Sequence, residues 1–169
     1  LRYLGNEEGL AEIRAYYDGY RFSPRAEQTV YNSDMIVFYA TEYDPVLKKP
    51  ENMIDTNVVS DYRKIRAILS IGGRELEEAV LTRIVGQNVA SVHEIAQLYA
   101  LTRENKFLLN EDSLISFLFY MGYLTISGKK GLSIELTVPN LVLKSLYWEY
   151  MQYLLMKRGE VRVGSREQL

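Results

Sequence analysis

The feature that most restricts how this chain can fold is a switch of hydrophobic period within one stretch, Asn110 to Lys157. Behind Asn110, whose side-chain oxygen suits an N-cap, Leu114, Phe117, Leu118 and Met121 recur at helical spacing, and Glu111 and Asp112 suit the positive end of the helix dipole. Gly122 is placed to end that helix. The period then drops to two. Leu124 and Ile126 alternate with Tyr123, Thr125 and Ser127; beyond Gly128-Lys129-Lys130-Gly131, Leu132, Ile134, Leu136 and Val138 alternate with Ser133, Glu135 and Thr137. This predicts a half-buried β-hairpin turning at 128–131. Pro139 cannot donate to a further ladder, Asn140 offers another cap, and Leu141 to Lys157 is helical again.

A helix, a tight hairpin and a second helix in that order form a winged-helix-like unit. Upstream, Asn6 can cap a helix with Leu10, Ile13 and Tyr17 on its apolar side, ended by Asp18-Gly19. The cluster from Tyr16 to Phe22 sets four aromatics around a glycine turn in which Asp18 can bond the backbone two residues on; this favours a packing corner over a ligand site. Asn32 caps a helix from Ser33 to Glu42 with Met35, Phe38 and Tyr39 as its stripe, and Asp44-Pro45 to Lys49-Pro50 is a connector. Asp55 or Ser60 opens the next helix, with Val59, Tyr62, Ile65, Ile68 and Leu69 on one side and Asp61, Arg63, Lys64 and Arg66 largely on the other, as far as Gly72-Gly73. From Glu75 to Val85, Leu76, Val80, Leu81 and Ile84 are expected inward and Glu77, Glu78 and Arg83 outward. Val89 to Val92 reads as a short strand, and the remainder to Leu109 as irregular or helical.

The last helix is apolar nearly all round, with Lys144, Ser145, Glu149 and Gln152 as its polar positions before Lys157, so it should be buried on most sides by a second packing partner. It falls short of the roughly 20 apolar residues that span a bilayer. The stretch 159–169 is charged and aperiodic, and reads as linker or tail.

At 169 residues and 47% hydrophobic, the chain can bury a real core. Twenty Lys and Arg against 22 Asp and Glu leave a net charge of -2, so no bulk field draws it to nucleic acid or to an anionic membrane. Without cysteine there is no disulfide, thiol nucleophile or cysteine-based zinc site; with no secretory signal pattern either, a cytoplasmic setting is expected. The start at Leu1, directly in an expected helix, leads to the expectation of a piece of a longer protein.

Catalytic signatures are missing from the sequence. There is no G-x-x-x-x-G-K-S/T loop, and Gly128-Lys129-Lys130-Gly131 lacks both its spacing and its strand-to-helix setting. There is no G-x-S-x-G elbow, and His93, beside Glu94, has no second histidine, so neither a triad nor a metal site is expected. The pairs Glu77-Glu78 and Glu111-Asp112 lie on a helix face and a helix start, where solvation and the dipole account for them.

Nucleic-acid binding by the winged-helix-like unit is the sharper question. A groove-reading helix needs Arg, Lys, Asn or Gln at base edges and cations against phosphate. The helix from Asn110 to Gly122 has no Arg or Lys, and its outer face is expected to offer Glu111, Asp112 and Ser116, which would repel a phosphate backbone. Lys129 and Lys130 remain as a candidate wing contact, although two lysines at a hairpin are more often a solubilising turn.

Several stretches in fixed order carry a family resemblance: Tyr16-Tyr17-Asp18-Gly19-Tyr20-Arg21-Phe22-Ser23, Val30-Tyr31-Asn32, Met53-Ile54-Asp55-Thr56-Asn57 with Ser60-Asp61-Tyr62, the run Ile115 to Ile126, and Val138-Pro139-Asn140. Together they resemble the predicted AAA-ATPase-like proteins of bacteria and archaea, in which a P-loop ATPase is followed by a helical and winged-helix-like middle and a PD-(D/E)XK nuclease-like domain. The match covers about Leu1 to Arg158.

The resemblance implies a mainly α chain with a minor α+β part: a helical lid-like subdomain (1–88), a winged-helix-like subdomain with one β-hairpin (89–158) and a tail (159–169). It implies a non-catalytic lid and coupling region, with ATP and Mg belonging to the parent protein, and with the upstream ATPase domain and the downstream nuclease-like domain as partners. Arg63 and Arg66 are the candidates for nucleotide contact. Tyr17, Asp18, Gly19 and Tyr20 form a corner facing the ATPase core. The alternative is a winged-helix nucleic-acid-binding module working through Lys129 and Lys130.

Overall fold

Apolar residues spaced three and four apart draw six helices together among the described residues of the computed structural model, which are 7–55, 58–96 and 110–158. The order is α1 (Glu7–Tyr17), α2 (Ser33–Thr41), α3 (Val58–Ser70), α4 (Gly73–Gly86), β1 (Ala90–Val92), α5 (Glu111–Tyr120), β2 (Thr125–Lys130), β3 (Ser133–Thr137) and α6 (Leu141–Arg158). The chain is mainly α with one small antiparallel sheet, as expected. The Asn6 cap, the reading of 97–109 and the tail 159–169 lie outside the described residues.

Three asparagines set helix starts. Asn32 Oδ1 accepts from the N–H of Asp34 at 3.0 Å and of Met35 at 3.3 Å, which begins α2. Asn110 and Ser113 exchange side-chain and backbone bonds of 2.8 and 2.9 Å, a reciprocal capping box on α5. Asn140 Oδ1 accepts from the N–H of Leu143 at 3.1 Å and opens α6. Helix α5 stops where Gly122 takes φ 76°, letting the N–H of Tyr123 return to the carbonyl of Leu118 at 2.8 Å.

The sheet order is β1-β3-β2, with Ala90 and Ile126 both opposite Leu136. A bulge between Ile126 and Gly128 adds one residue to β2. The hairpin therefore does not turn at 128–131. Gly128, Lys129 and Lys130 continue the strand, and the two-residue tip is Gly131-Leu132, with Gly131 at φ 61°. Leu132, expected on the inner face, is 83% exposed at that tip.

Ile13 and Tyr17 of α1, Ile65 and Leu69 of α3, and Val80 and Leu81 of α4 share one apolar cluster with Leu114, Leu118, Leu124, Ile126 and Leu136. Residues on both sides of position 88 thus meet in a common core. Helix α6 lies against α1, α3 and α4 and buries Val142, Leu143, Leu146, Tyr147 and Tyr150 there, while Leu141, Trp148 and Met156 stay exposed. No helix among the described residues is long and apolar enough to cross a membrane.

Three side chains differ from their expected direction. Glu77 is buried, Arg83 bridges to α5 and β1, and Ser116 is fully enclosed. Each has a polar partner inside the fold, which removes the reason to face water.

Candidate functional site

The corner after α1 is built around Gly19, at φ 105°, where a Cβ would lie 2.0 Å from the carbonyl oxygen of Pro139. Only glycine allows that approach. Tyr17 is buried and donates its hydroxyl to the carbonyl of Met53 at 2.8 Å; burial, helped by Tyr39 and Tyr16, pushes its phenol up to about 12. Asp18 accepts from the adjacent N–H of Gly19 at 2.7 Å rather than from a residue two further on. Tyr20 is buried, stacks on Phe22 and exchanges backbone bonds with Val30. All four corner residues are committed to packing and local bonds.

The neighbouring Arg21, which the motif reading did not single out, attaches this corner to the hairpin. Its N–H donates to Thr125 Oγ1 at 2.6 Å, and its carbonyl accepts from the N–H of Ile126 at 3.1 Å. Its guanidinium donates to the carbonyls of Ser127 at 3.2 Å and Ala26 at 2.7 Å. Because β3 is the middle strand, these bonds occupy the outer edge of β2, a row of backbone groups that would otherwise invite another strand.

Helix α5, at the position of a groove-reading helix, is enclosed by α3, α4 and β1. Ser116 donates to the carbonyl of Asp112 at 2.6 Å and accepts from the N–H of Ala96 at 2.9 Å. Glu111 pairs with Arg83 at 2.6 Å. The exposed end of α5 is apolar: Tyr120 and Met121, next to Phe119, which meets the exposed ring of Phe22 at 6.5 Å. Lys129 and Lys130 stand exposed at the far end of β2.

The two arginines of α3 separate in role. Arg66 donates to the Tyr153 hydroxyl at 3.1 Å and lies 4.6 Å over the same ring, tying α3 to α6. Arg63 is exposed and makes no hydrogen bond or ion pair among the described residues.

Beneath Arg66 lies the polar contact that the sequence reading placed outside. Glu77 accepts from Ser70 Oγ at 2.9 Å and from the Tyr150 hydroxyl, joining α4 to α3 and α6. Burial and the bond to Glu77 push the Tyr150 phenol up to about 12. A signal was available: 77, 80, 81 and 84 are i, i+3, i+4 and i+7, so Glu77 occupies a position of the buried stripe.

Comparisons with protein-family models, curated proteins and solved structures gave no match.

Proposed function

We propose that the chain is the non-catalytic lid and coupling region of an AAA-type ATPase, relating the nucleotide state of an upstream P-loop core to a downstream domain. The observation that carries this reading is the double attachment of the winged-helix-like unit to the helices before it. The corner grips the hairpin through the backbone and guanidinium of Arg21, and α6 is seated on α1, α3 and α4. Packed interiors transmit displacement rather than absorb it, so a push on the first helices moves the hairpin with them. The ordered motifs from the Tyr-Asp-Gly-Tyr corner to Val138-Pro139-Asn140 support the ATPase context.

Arg63 is the side chain available to a phosphate on a neighbouring core, whereas Arg66 is held by Tyr153. ATP and Mg are bound by the core in this reading; the chain contributes one guanidinium, a planar donor suited to phosphate oxygens. The test begins with the coding sequence upstream of Leu1. A strand followed by G-x-x-x-x-G-K-S/T is expected there, and a start codon at or just before Leu1 overturns the assignment. In the protein carrying both parts, Arg63→Ala should weaken nucleotide binding several-fold, while Arg66→Ala should lower stability and leave nucleotide affinity unchanged.

A further inference from the structure

A cleft of about 1230 Å³ opens between α2 and α3 and adjoins a second hollow of about 270 Å³ that reaches Gly122, Tyr123 and Asn140. The two share Asn32, Asp34, Met35, Asp61 and Lys64. Three kinds of unmet demand face this space.

The first is for hydrogen-bond acceptors. Asn140 is only 5% exposed, and its oxygen is spent on the N–H of Leu143, while its amide nitrogen has no acceptor among the described residues. No side-chain nitrogen or oxygen sealed from solvent lacks a partner among the described residues, so that NH2 group opens into the hollow it lines. Asn32 repeats the arrangement at α2: its oxygen caps the helix and its NH2 is left over. The second demand is for positive charge. Among the described residues, Asp34, Glu42 and Glu51 line the cleft with no cationic partner, and the one lysine of the lining, Lys64, is paired with Asp61 at 3.3 Å. The third is for apolar cover over Val37, 63% exposed, and Ile54, 37% exposed, on the same walls.

A free anion is repelled by the carboxylates, and a bare cation or polyamine offers nothing to the two amide donors. An extended peptide answers all three demands, since its carbonyls accept hydrogen bonds while its alternate side chains point to opposite sides. We propose that the joined hollows are a docking site for an extended basic segment of a partner protein. The segment's backbone carbonyls accept from Asn32 and Asn140, its Lys or Arg side chains meet Asp34, Glu42 and Glu51, and its apolar side chains cover Val37 and Ile54. This site stands apart from the ATPase reading and holds whether or not a P-loop core precedes the chain.

The experiment titrates the 169-residue chain at low ionic strength with three probes: an end-capped hexapeptide alternating lysine and leucine, its glutamate–leucine counterpart, and spermine. The lysine peptide should bind, and binding should weaken as salt screens the carboxylates. The double variant Asp34→Asn/Glu51→Gln, which touches only exposed or unpartnered groups, should lose about tenfold in affinity. Asn140→Asp keeps the capping oxygen and replaces the amide donor with a second acceptor, so it should weaken the peptide and strengthen spermine. Failure of the lysine peptide to bind overturns the proposal, as does equal binding of the glutamate peptide. So does spermine binding as tightly as the peptide, or a peptide affinity that rises in Asn140→Asp.

Discussion

Two junctions attach the winged-helix-like unit to the helices before it, and they are made of different materials. At the corner the contact rests on the corner's own main chain: the backbone of Arg21 against the Thr125 hydroxyl and the N–H of Ile126, and Gly19 against the carbonyl of Pro139. At the α3–α4–α6 junction it is side chain: Glu77 with Ser70 and Tyr150, and Arg66 with Tyr153. A main-chain contact fixes position but leaves no room for an added atom. A side-chain network fixes which groups must be present together, and it can be exchanged for another set of the same volume. The corner therefore sets where the hairpin sits, and the helical junction sets how strongly the two parts adhere.

The hardest break in this comparison is Gly19→Ala. The new methyl would meet the Pro139 carbonyl at 2.0 Å on a residue held at φ 105°, so clash and strained backbone act together. A loss of at least about 3 kcal/mol is expected in denaturant unfolding. Gly131→Ala is the control: it also has positive φ, at 61°, but nothing lies near its Cβ, so strain alone should cost about 1–2 kcal/mol. Equal losses at the two glycines would mean that the corner is not a main-chain clamp.

Tyr150→Phe probes the other material. Removing the hydroxyl leaves Glu77 with the Ser70 hydroxyl as its donor, which should cost about 1–3 kcal/mol. Glu77→Leu together with Tyr150→Phe should recover most of that loss, because the unpaired buried carboxylate has gone as well. No such rescue exists for Gly19. Both junctions respond to pH. Tyr150 and Tyr17 have phenols raised from 10 to about 12, so the folded state holds protons that the unfolded state releases. Stability is then unaffected by these groups below pH 10 and falls as pH climbs from 10 to about 12. Tyr150→Phe should make that fall shallower in unfolding curves followed by tyrosinate absorbance; an unchanged slope would remove Tyr150 from the alkaline transition.

The contrast between the two junctions also explains what could be read in advance. Helix starts at Asn32, Asn110 and Asn140 and the stop at Gly122 were legible because capping is a local bond between neighbours in sequence. The hairpin was legible as alternation, but its tip was misplaced because the extra residue between Ile126 and Gly128 shifts every later position by one without altering composition. Arg21 went unread because its partners on the hairpin are more than a hundred residues away and are mostly backbone groups, which carry no residue signature. Glu77 was misread for the opposite reason. Its charge argued for solvent while its spacing argued for the core, and the spacing prevailed because Tyr150 and Ser70 satisfy the carboxylate there. The two open amides in the joined hollows were hidden behind their caps, since a sequence shows an asparagine at a helix start but not which half of its carboxamide is left over.

The smallest effect is expected where the hairpin leaves both junctions. Lys129→Ala/Lys130→Ala changes two exposed side chains beyond the bulge, and stability should stay within about 0.5 kcal/mol of the parent. Titration of a fluorescent DNA duplex at low salt decides what the tip is for. With α5 enclosed and carrying acid at its start, the hairpin tip offers two lysines, and two phosphate contacts give too shallow a salt dependence for useful affinity near physiological ionic strength. The expected result is no salt-sensitive complex for the parent or for the variant. If the parent instead binds at low salt and the lysine pair is required, the clamped base of the hairpin would be a mount for a wing on nucleic acid, and the main-chain junction would serve to aim it.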